Sequence, residues 1–250
     1  MTIRLLISVR NVEEALLAAT GGADFIDLKE PGQGALGGLP LVMIRAIVTA
    51  LRAQHPGLTI SATIGDVPMT ALGEIQARVR AVAACGVDLV KVGIERCPPA
   101  AAVLDWLASG GPAVVPVFIA DHGISSALWQ QALALPLAGV MIDTADKRAG
   151  SLFDVLPIDE LAALLAQARA AHRMVGLAGA LRLPHLQSLR ALAPDFAGFR
   201  SAVCDVERSG ALVPARLAAL VQALHGAPGQ ALTASAHRTP ALATPDEAGR

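Results

Sequence analysis

The chain alternates between two kinds of hydrophobic pattern over most of its length. Eight short apolar runs lack strict polar–apolar alternation, which is typical of strands buried on both faces of a parallel sheet. Between them, apolar residues recur at helical spacing, as in the segment 161–168, and predict helices that cover such a sheet. The strand-like runs lie at about 4–9, 25–29, 59–64, 89–94, 113–119, 139–144, 173–178 and 196–200.

Helix signals fall between these runs: Asn11 can cap a first helix, and Pro40 and Pro98 can open two later ones. Eight β-then-α units predict an α/β fold, a (β/α)8 TIM barrel over residues 1–225. An open doubly wound sheet is the alternative. It is less favoured because no GxGxxG turn follows the first run. Residues 226–250 have no periodic apolar face and are predicted to form a disordered tail.

Composition excludes several classes of function. No apolar run of the 250 residues reaches the ~18 needed for a membrane span, so no membrane partner is expected. A net charge of −1, two Trp and no Tyr argue against a nucleic-acid surface. The cysteines Cys85, Cys97 and Cys204 form no CxxC pair, and the histidines form no HxH or HxxxH pair. We therefore expect a reduced cytoplasmic protein without a metal or cofactor, with a lone catalytic thiol as the alternative.

Lysine is rare in this chain: three lysines accompany seventeen arginines. Lys29, Lys91 and Lys147 each lie at or just past the end of a strand-like run. Arginine stays protonated and cannot form a Schiff base, whereas a desolvated lysine can act as a nucleophile or a base. Codon bias alone would explain the rarity but not the shared placement, so the positions favour amine chemistry.

In a TIM barrel the active site lies at the carboxyl ends of the strands. Asp27 and Lys29 share one face of strand two, Lys91 lies on strand four and Asp143 lies on strand six. We expect Lys29, Lys91 and Asp143 to face one another, and repulsion between the two ammonium groups to lower the pKa of at least one lysine. Structural ion pairs that plug the barrel are the alternative, although buried pairs stabilise a fold inefficiently.

Strands seven and eight end in small residues and one arginine. The loops after these strands are the usual phosphate site of TIM barrels, and a phosphorylated substrate is therefore expected. The predicted substrate-binding residues are Asp66 after strand three, and Gly179, Ala180, Arg200 and Ser201 in the last two loops.

Five segments carry a family resemblance. They are D-x-K-x-P-x-x-G-x-L-G at 27–37, SATIGDVP at 61–68, VKVG at 90–93, D-T-x-x-K-x-x-G-x-L-F-D at 143–154 and FRSAVC at 199–204. Together they resemble the (5-formylfuran-3-yl)methyl phosphate synthase family over about residues 4–224. The resemblance implies a TIM barrel that condenses two molecules of glyceraldehyde 3-phosphate, with loss of phosphate and water. The product would serve methanofuran-type coenzyme biosynthesis and one-carbon metabolism.

The resemblance also implies residue roles. Lys29 corresponds to the lysine that forms the Schiff base and Lys91 to the proton acceptor, while Asp27, Asp143 and Lys147 match the other catalytic polar residues. Ser201 replaces the glycine expected in the last loop, where its Cβ would crowd a phosphate or its hydroxyl would bind one.

Two other functions remain open from the residues alone. A class I aldolase would share the imine chemistry on a small phosphorylated sugar and stop at the aldol. A non-catalytic barrel would bind a phosphorylated metabolite and act through a partner. For the synthase we expect a phosphorylated triose as the small-molecule partner, and a homo-oligomer.

Overall fold

The structure is a computed structural model that describes residues 2–34, 36–146, 150–205 and 209–226. Eight parallel strands form a closed barrel in chain order, and the last strand pairs with the first. The strands are β1 (Arg4–Val9), β2 (Phe25–Leu28), β3 (Thr59–Thr63), β4 (Leu89–Ile94), β5 (Val114–Ile119), β6 (Val140–Asp143), β7 (Val175–Leu177) and β8 (Phe196–Phe199). The TIM barrel predicted from the sequence is confirmed.

Helices cover the outside of the barrel in the connections between strands. They are α1 (Val12–Thr20), α2 (Leu41–Gln54), α3 (Leu72–Ala83), α4 (Ala100–Leu107), α5 (Ser126–Ala134), α6 (Leu152–Val155), α7 (Ile158–Ala170), α8 (Leu186–Leu192) and α9 (Pro214–His225). Short 3-10 turns occupy Ala120–His122, Leu183–His185 and Ser201–Val203. Within the described ranges, no helix combines the length and the apolar character that a membrane crossing requires.

The predicted helix signals account for where these helices begin. The Oδ1 atom of Asn11 accepts a hydrogen bond from the backbone N–H of Glu14 at 2.8 Å, so Asn11 caps α1 as its residue type favours. Pro40 directly precedes α2, and α4 begins two residues after Pro98. Leu161, at the start of the predicted apolar face of α7, is fully buried.

Apolar side chains form two groups, one between the barrel and its helices and one inside the barrel. The interior group is Leu6, Phe25, Leu36, Val115, Val117, Met141, Ala178 and Phe196. Because side chains two positions apart lie on the same face of a strand, the strand residues that follow members of this group by two positions also point inward. Three of those residues are polar and stand above the interior core: Ser8, Asp27 and Asp143.

Carboxylates tie neighbouring strands together at the opposite, amino-terminal end of the barrel. Asp24, Asp88 and Asp195 each directly precede a strand, namely β2, β4 and β8. Each accepts a hydrogen bond from a backbone N–H near the start of the preceding strand, at Leu5 (2.6 Å), Ile60 (2.7 Å) and Val175 (2.7 Å). The strand starts are thus held by side chains far from the upper end of the barrel.

The seventh strand differs most from its expected length. Residues 173–178 were expected to form the seventh strand, but β7 covers only Val175–Leu177. The backbone N–H of Arg173 donates to the carbonyl of Ala168 in the turn after α7, so Arg173 does not join the strand, and Gly179 follows the strand with a φ of 109°. The predicted tail lies outside the described residues apart from Gly226, so its disorder stays a prediction.

Candidate active site

Lys29 and Asp143 meet across the upper end of the barrel. Lys29 follows β2 directly, and its backbone N–H donates to the carbonyl of Val9 at 3.1 Å. Its Nζ lies 3.7 Å from Oδ2 of Asp143, the last residue of β6. The Oδ1 atom of Asp143 accepts the N–H of Thr144 at 2.8 Å, which fixes the orientation of the carboxylate. Strands two and six therefore bring a lysine and an aspartate together, as the sequence predicted.

Lys91, on β4, and Asp27, on β2, form a second ion pair inside the barrel. The distance from Nζ of Lys91 to Oδ1 of Asp27 is 2.8 Å, and the two residues are 2 % and 0 % exposed. The hydroxyls of Ser61 and Ser8 donate to Asp27 at 2.7 and 3.1 Å. Lys91 was expected to face Asp143, and the charge of Asp143 does act on it, but its short ion pair is with Asp27.

This crowding shifts the pKa values of the buried pair. Burial lowers the pKa of Lys91 below its ordinary 10.5, and the nearby charge of Lys29 lowers it further, against the opposing attraction of Asp27. Burial alone would raise the pKa of Asp27, but the ammonium groups of Lys91 and Lys29 outweigh it and hold that pKa below 3.8. The direction agrees with the expected fall in one lysine pKa, but desolvation of Lys91 is the larger cause and repulsion from Lys29 the smaller one.

A cleft with an empty volume of about 440 Å³, its open mouth included, lies over this cluster. Its walls combine Lys29 and the carboxylates of the cluster with the loops that follow β7 and β8. A Cβ at Gly179 would lie 2.9 Å from Thr144, and this residue has a φ of 109°, so glycine is required there. The predicted substrate-binding residues that line the cleft are Gly179, Ala180, Arg200 and Ser201.

Arg200 lines the cleft, yet its guanidinium is engaged with the protein. It forms a buried ion pair with Glu14, with an Nη1–Oε2 distance of 2.5 Å and an Nη2–Oε1 distance of 3.1 Å. It also donates to the backbone carbonyls of Ser8 at 3.1 Å and Gly210 at 2.8 Å. Its predicted role in binding the substrate stays a prediction.

Two other predicted site residues lie elsewhere. Asp66 is exposed and lines a different cleft, above β3 to β5, together with His122. Lys147 lies outside the described residues. The loop that leads toward it is held by Asp121, whose carboxylate accepts the N–H groups of Ala145 at 2.5 Å and Asp146 at 3.1 Å.

Three residues of the site were not predicted from the sequence: Ser8, Ser61 and Glu14. Both serines are polar residues at interior positions of otherwise apolar strands, and that exception was the available signal. Glu14 reads as an ordinary first-turn acid of α1, so no local signal reveals its partner 186 residues away. Within the described ranges, no group of three or more His, Cys, Asp or Glu residues is arranged to hold a metal ion.

Comparison with solved structures shows the fold. The chain is similar to phosphoribosyl anthranilate isomerase from Thermus thermophilus, with a TM-score of 0.61 and 20% identity, covering 89% of this chain and 98% of that one. It is also similar to KGPDC from Streptococcus mutans, with a TM-score of 0.62 and 14% identity, covering 89% and 97% of the two chains. At these identities the likeness concerns the barrel alone.

Comparison with known sequences shows the family. The chain is 37% identical over 226 residues to the putative (5-formylfuran-3-yl)methyl phosphate synthase of Methylorubrum extorquens, covering 90% of this chain and 93% of that protein. It is 34% identical over 238 residues to the (5-formylfuran-3-yl)methyl phosphate synthase of Archaeoglobus fulgidus, covering 90% of this chain and all of that protein. The 4-HFC-P synthase family matches residues 5–221. This match covers nearly all of the described chain, and the chain therefore belongs to the 4-HFC-P synthase family.

Proposed function

We propose that the protein condenses two molecules of glyceraldehyde 3-phosphate into (5-formylfuran-3-yl)methyl phosphate, through a Schiff base on Lys29. The observation that carries this proposal is the Lys29–Asp143 pair in the cleft at the upper end of the barrel. Family membership supports the identity of the product, which is the one named for the relatives.

The overall reaction balances without a redox partner. Two triose phosphates supply six carbons and two phosphates, and the furan keeps all six carbons and one phosphate. One inorganic phosphate and two water molecules therefore leave. In the product, the new carbon–carbon bond joins C2 of the triose that keeps its phosphate to C3 of the triose that loses it. A nucleophilic C2 is what an enamine provides.

Lys29 would supply that enamine. Its unprotonated amine attacks the aldehyde carbon of the first triose, and loss of water gives the imine. The protonated imine withdraws electrons from C2, so the C2 proton can leave to a base. Asp143 is suited to exchange protons at this point because its Oδ2 lies 3.7 Å from the Lys29 Nζ.

The Lys91–Asp27 pair would supply the second proton-transfer group. Asp27 lines the cleft, and Lys91 contacts it from the buried side. Because burial and Lys29 lower the pKa of Lys91, this amine releases a proton more readily than an exposed lysine does. Elimination of phosphate and dehydration both require such acid–base help.

The retained phosphate would bind at the loops after β7 and β8. In the described part of the chain, no acceptor pairs with the backbone N–H groups of Ala180 or Ser201, and both residues line the cleft. Backbone N–H groups are common ligands of phosphate in proteins. The hydroxyl of Ser201 adds a donor at the position where glycine was expected.

Incubation with glyceraldehyde 3-phosphate alone tests the proposal. We expect a furan chromophore and one inorganic phosphate per furan; an aldol product without phosphate release would indicate the aldolase instead. Borohydride added during turnover should attach a stable mass to the peptide that contains Lys29, and Lys29→Ala should abolish that mass. Labelling that survives in Lys29→Ala but disappears in Lys91→Ala would reverse the two lysine roles, and no labelling of either would refute the imine.

A further inference from the structure

The ion pair between Arg200 and Glu14 joins distant parts of the chain beside the cleft. The two residues are 7 % and 5 % exposed, and both guanidinium Nη atoms bond to the carboxylate. Each Nη atom carries two N–H groups. Besides its bond to Glu14, Nη1 donates to the carbonyl of Ser8 and Nη2 donates to the carbonyl of Gly210. All four of these Nη N–H groups are thus used within the protein, so a phosphate that bound to the Nη atoms would have to displace one of these acceptors.

Glu14 is itself held from several sides. Its backbone N–H is capped by Asn11, and its Oε2 accepts the backbone N–H of Arg10 at 3.0 Å. Moving two charges out of water costs free energy that their attraction only partly returns, so such a pair is a poor means of stabilising a fold. A fixed geometry is the benefit that this arrangement offers.

The pair connects both walls of the cleft. Arg200 directly precedes Ser201 on the β8 side, and its side chain holds the Ser8 carbonyl on the β1 side. The Ser8 hydroxyl in turn donates to Asp27, the partner of Lys91. One guanidinium therefore sets the position of the β8 turn and, through Ser8, of the carboxylate in the buried pair.

We propose that Arg200 and Glu14 are positioning residues that hold the phosphate-binding wall of the cleft, and that Arg200 does not itself bind the substrate phosphate. This inference rests on the proposed function for the identity of the substrate. It assigns phosphate binding to the loops after β7 and β8 and assigns their placement to the buried ion pair.

Calorimetric binding of inorganic phosphate to Glu14→Gln and Arg200→Lys tests the proposal. A positioning role predicts that both variants bind phosphate more weakly, by about tenfold to a hundredfold. A guanidinium that bound phosphate directly would give opposite signs, because Glu14→Gln removes a competing negative charge and would tighten binding. Unchanged or tighter phosphate binding in Glu14→Gln therefore overturns the proposal. If Arg200→Lys does not fold, the result for Glu14→Gln is sufficient by itself.

Arg52→Lys is the matched control, because Arg52 likewise bonds a carboxylate, that of Asp88, and the carbonyl of Leu58, at the opposite end of the barrel. It should leave phosphate affinity unchanged.

A second measurement is the rate of borohydride trapping with glyceraldehyde 3-phosphate relative to glyceraldehyde. Positioning variants should lose most of the preference for the phosphorylated aldehyde, whereas a purely structural role would lower melting temperature and leave the preference intact. Wild-type protein that binds phosphate but traps neither aldehyde would refute the imine only; wild-type protein that binds no phosphate would refute the positioning role.

Discussion

Replacement of Asp27 by asparagine should expose the energetic cost of the buried lysine. Asparagine keeps the size of the side chain and an acceptor for Lys91, so the main loss is the negative charge 2.8 Å from Nζ. At an effective dielectric constant of about 20, that attraction is about 6 kcal/mol. Removing one partner of a buried pair typically costs about 3–5 kcal/mol. We expect Asp27→Asn to lower the free energy of unfolding at pH 7 by that amount.

The loss should shrink as pH rises. Asp27 raises the pKa of Lys91, so in the variant this pKa falls further below its ordinary 10.5. At pH values between the folded-state pKa of Lys91 and 10.5, the unfolded chain binds a proton at Lys91 that the folded chain does not. The free energy of unfolding therefore rises with pH, by up to about 1.4 kcal/mol per pH unit. The variant should therefore recover part of its stability between pH 7 and pH 10.5.

Urea unfolding at several pH values measures both effects. Glu74→Gln is the control, because the Glu74–Arg78 pair has side chains 50% and 45% exposed and should contribute less than about 1 kcal/mol. A loss in Asp27→Asn that is no larger than in this control, or one that stays constant with pH, would show that Lys91 is not a charge stabilised by Asp27.

Other variants test single features of the site. Lys91→Arg should lower kcat about a hundredfold to ten-thousandfold, nearly as much as Lys91→Ala, because a guanidinium does not deprotonate near neutral pH; turnover close to wild type would remove Lys91 from proton transfer. Asp121→Ala should lower kcat by about tenfold, because it removes the carboxylate that holds Ala145 and Asp146 after β6. Steady-state assays should give Asp121→Asn an intermediate kcat. Equal activity of both variants and wild type would contradict a role of Asp121 in holding this loop. Removal of residues 226–250 should leave melting temperature and activity nearly unchanged, because that stretch lacks an apolar face; a large fall in melting temperature would show that it packs on the barrel.

Local patterns were sufficient to predict the barrel, because its strands and helices follow from short-range hydrophobic spacing. They also placed Lys29 and Asp143 at strand ends, and the general geometry of the fold then brought them together. The pairing of Lys91 with Asp27 could not be predicted in the same way, since it depends on the stagger between neighbouring strands. The partner of Arg200 was also hidden, because Glu14 lies at the other end of the chain and looks like an ordinary helix residue.

The aspartates at the lower end of the barrel bear on how such a fold can be assembled from fragments. Each tie joins the two strands of one βαβ unit: Asp24 within β1–α1–β2, Asp88 within β3–α3–β4 and Asp195 within β7–α8–β8. The carboxylate and its amide therefore move together when a whole unit is duplicated, exchanged or grafted, and the register of the strand pair is carried inside the fragment. Chimeras cut between units should keep these ties, whereas cuts within a unit separate each aspartate from the strand that it aligns.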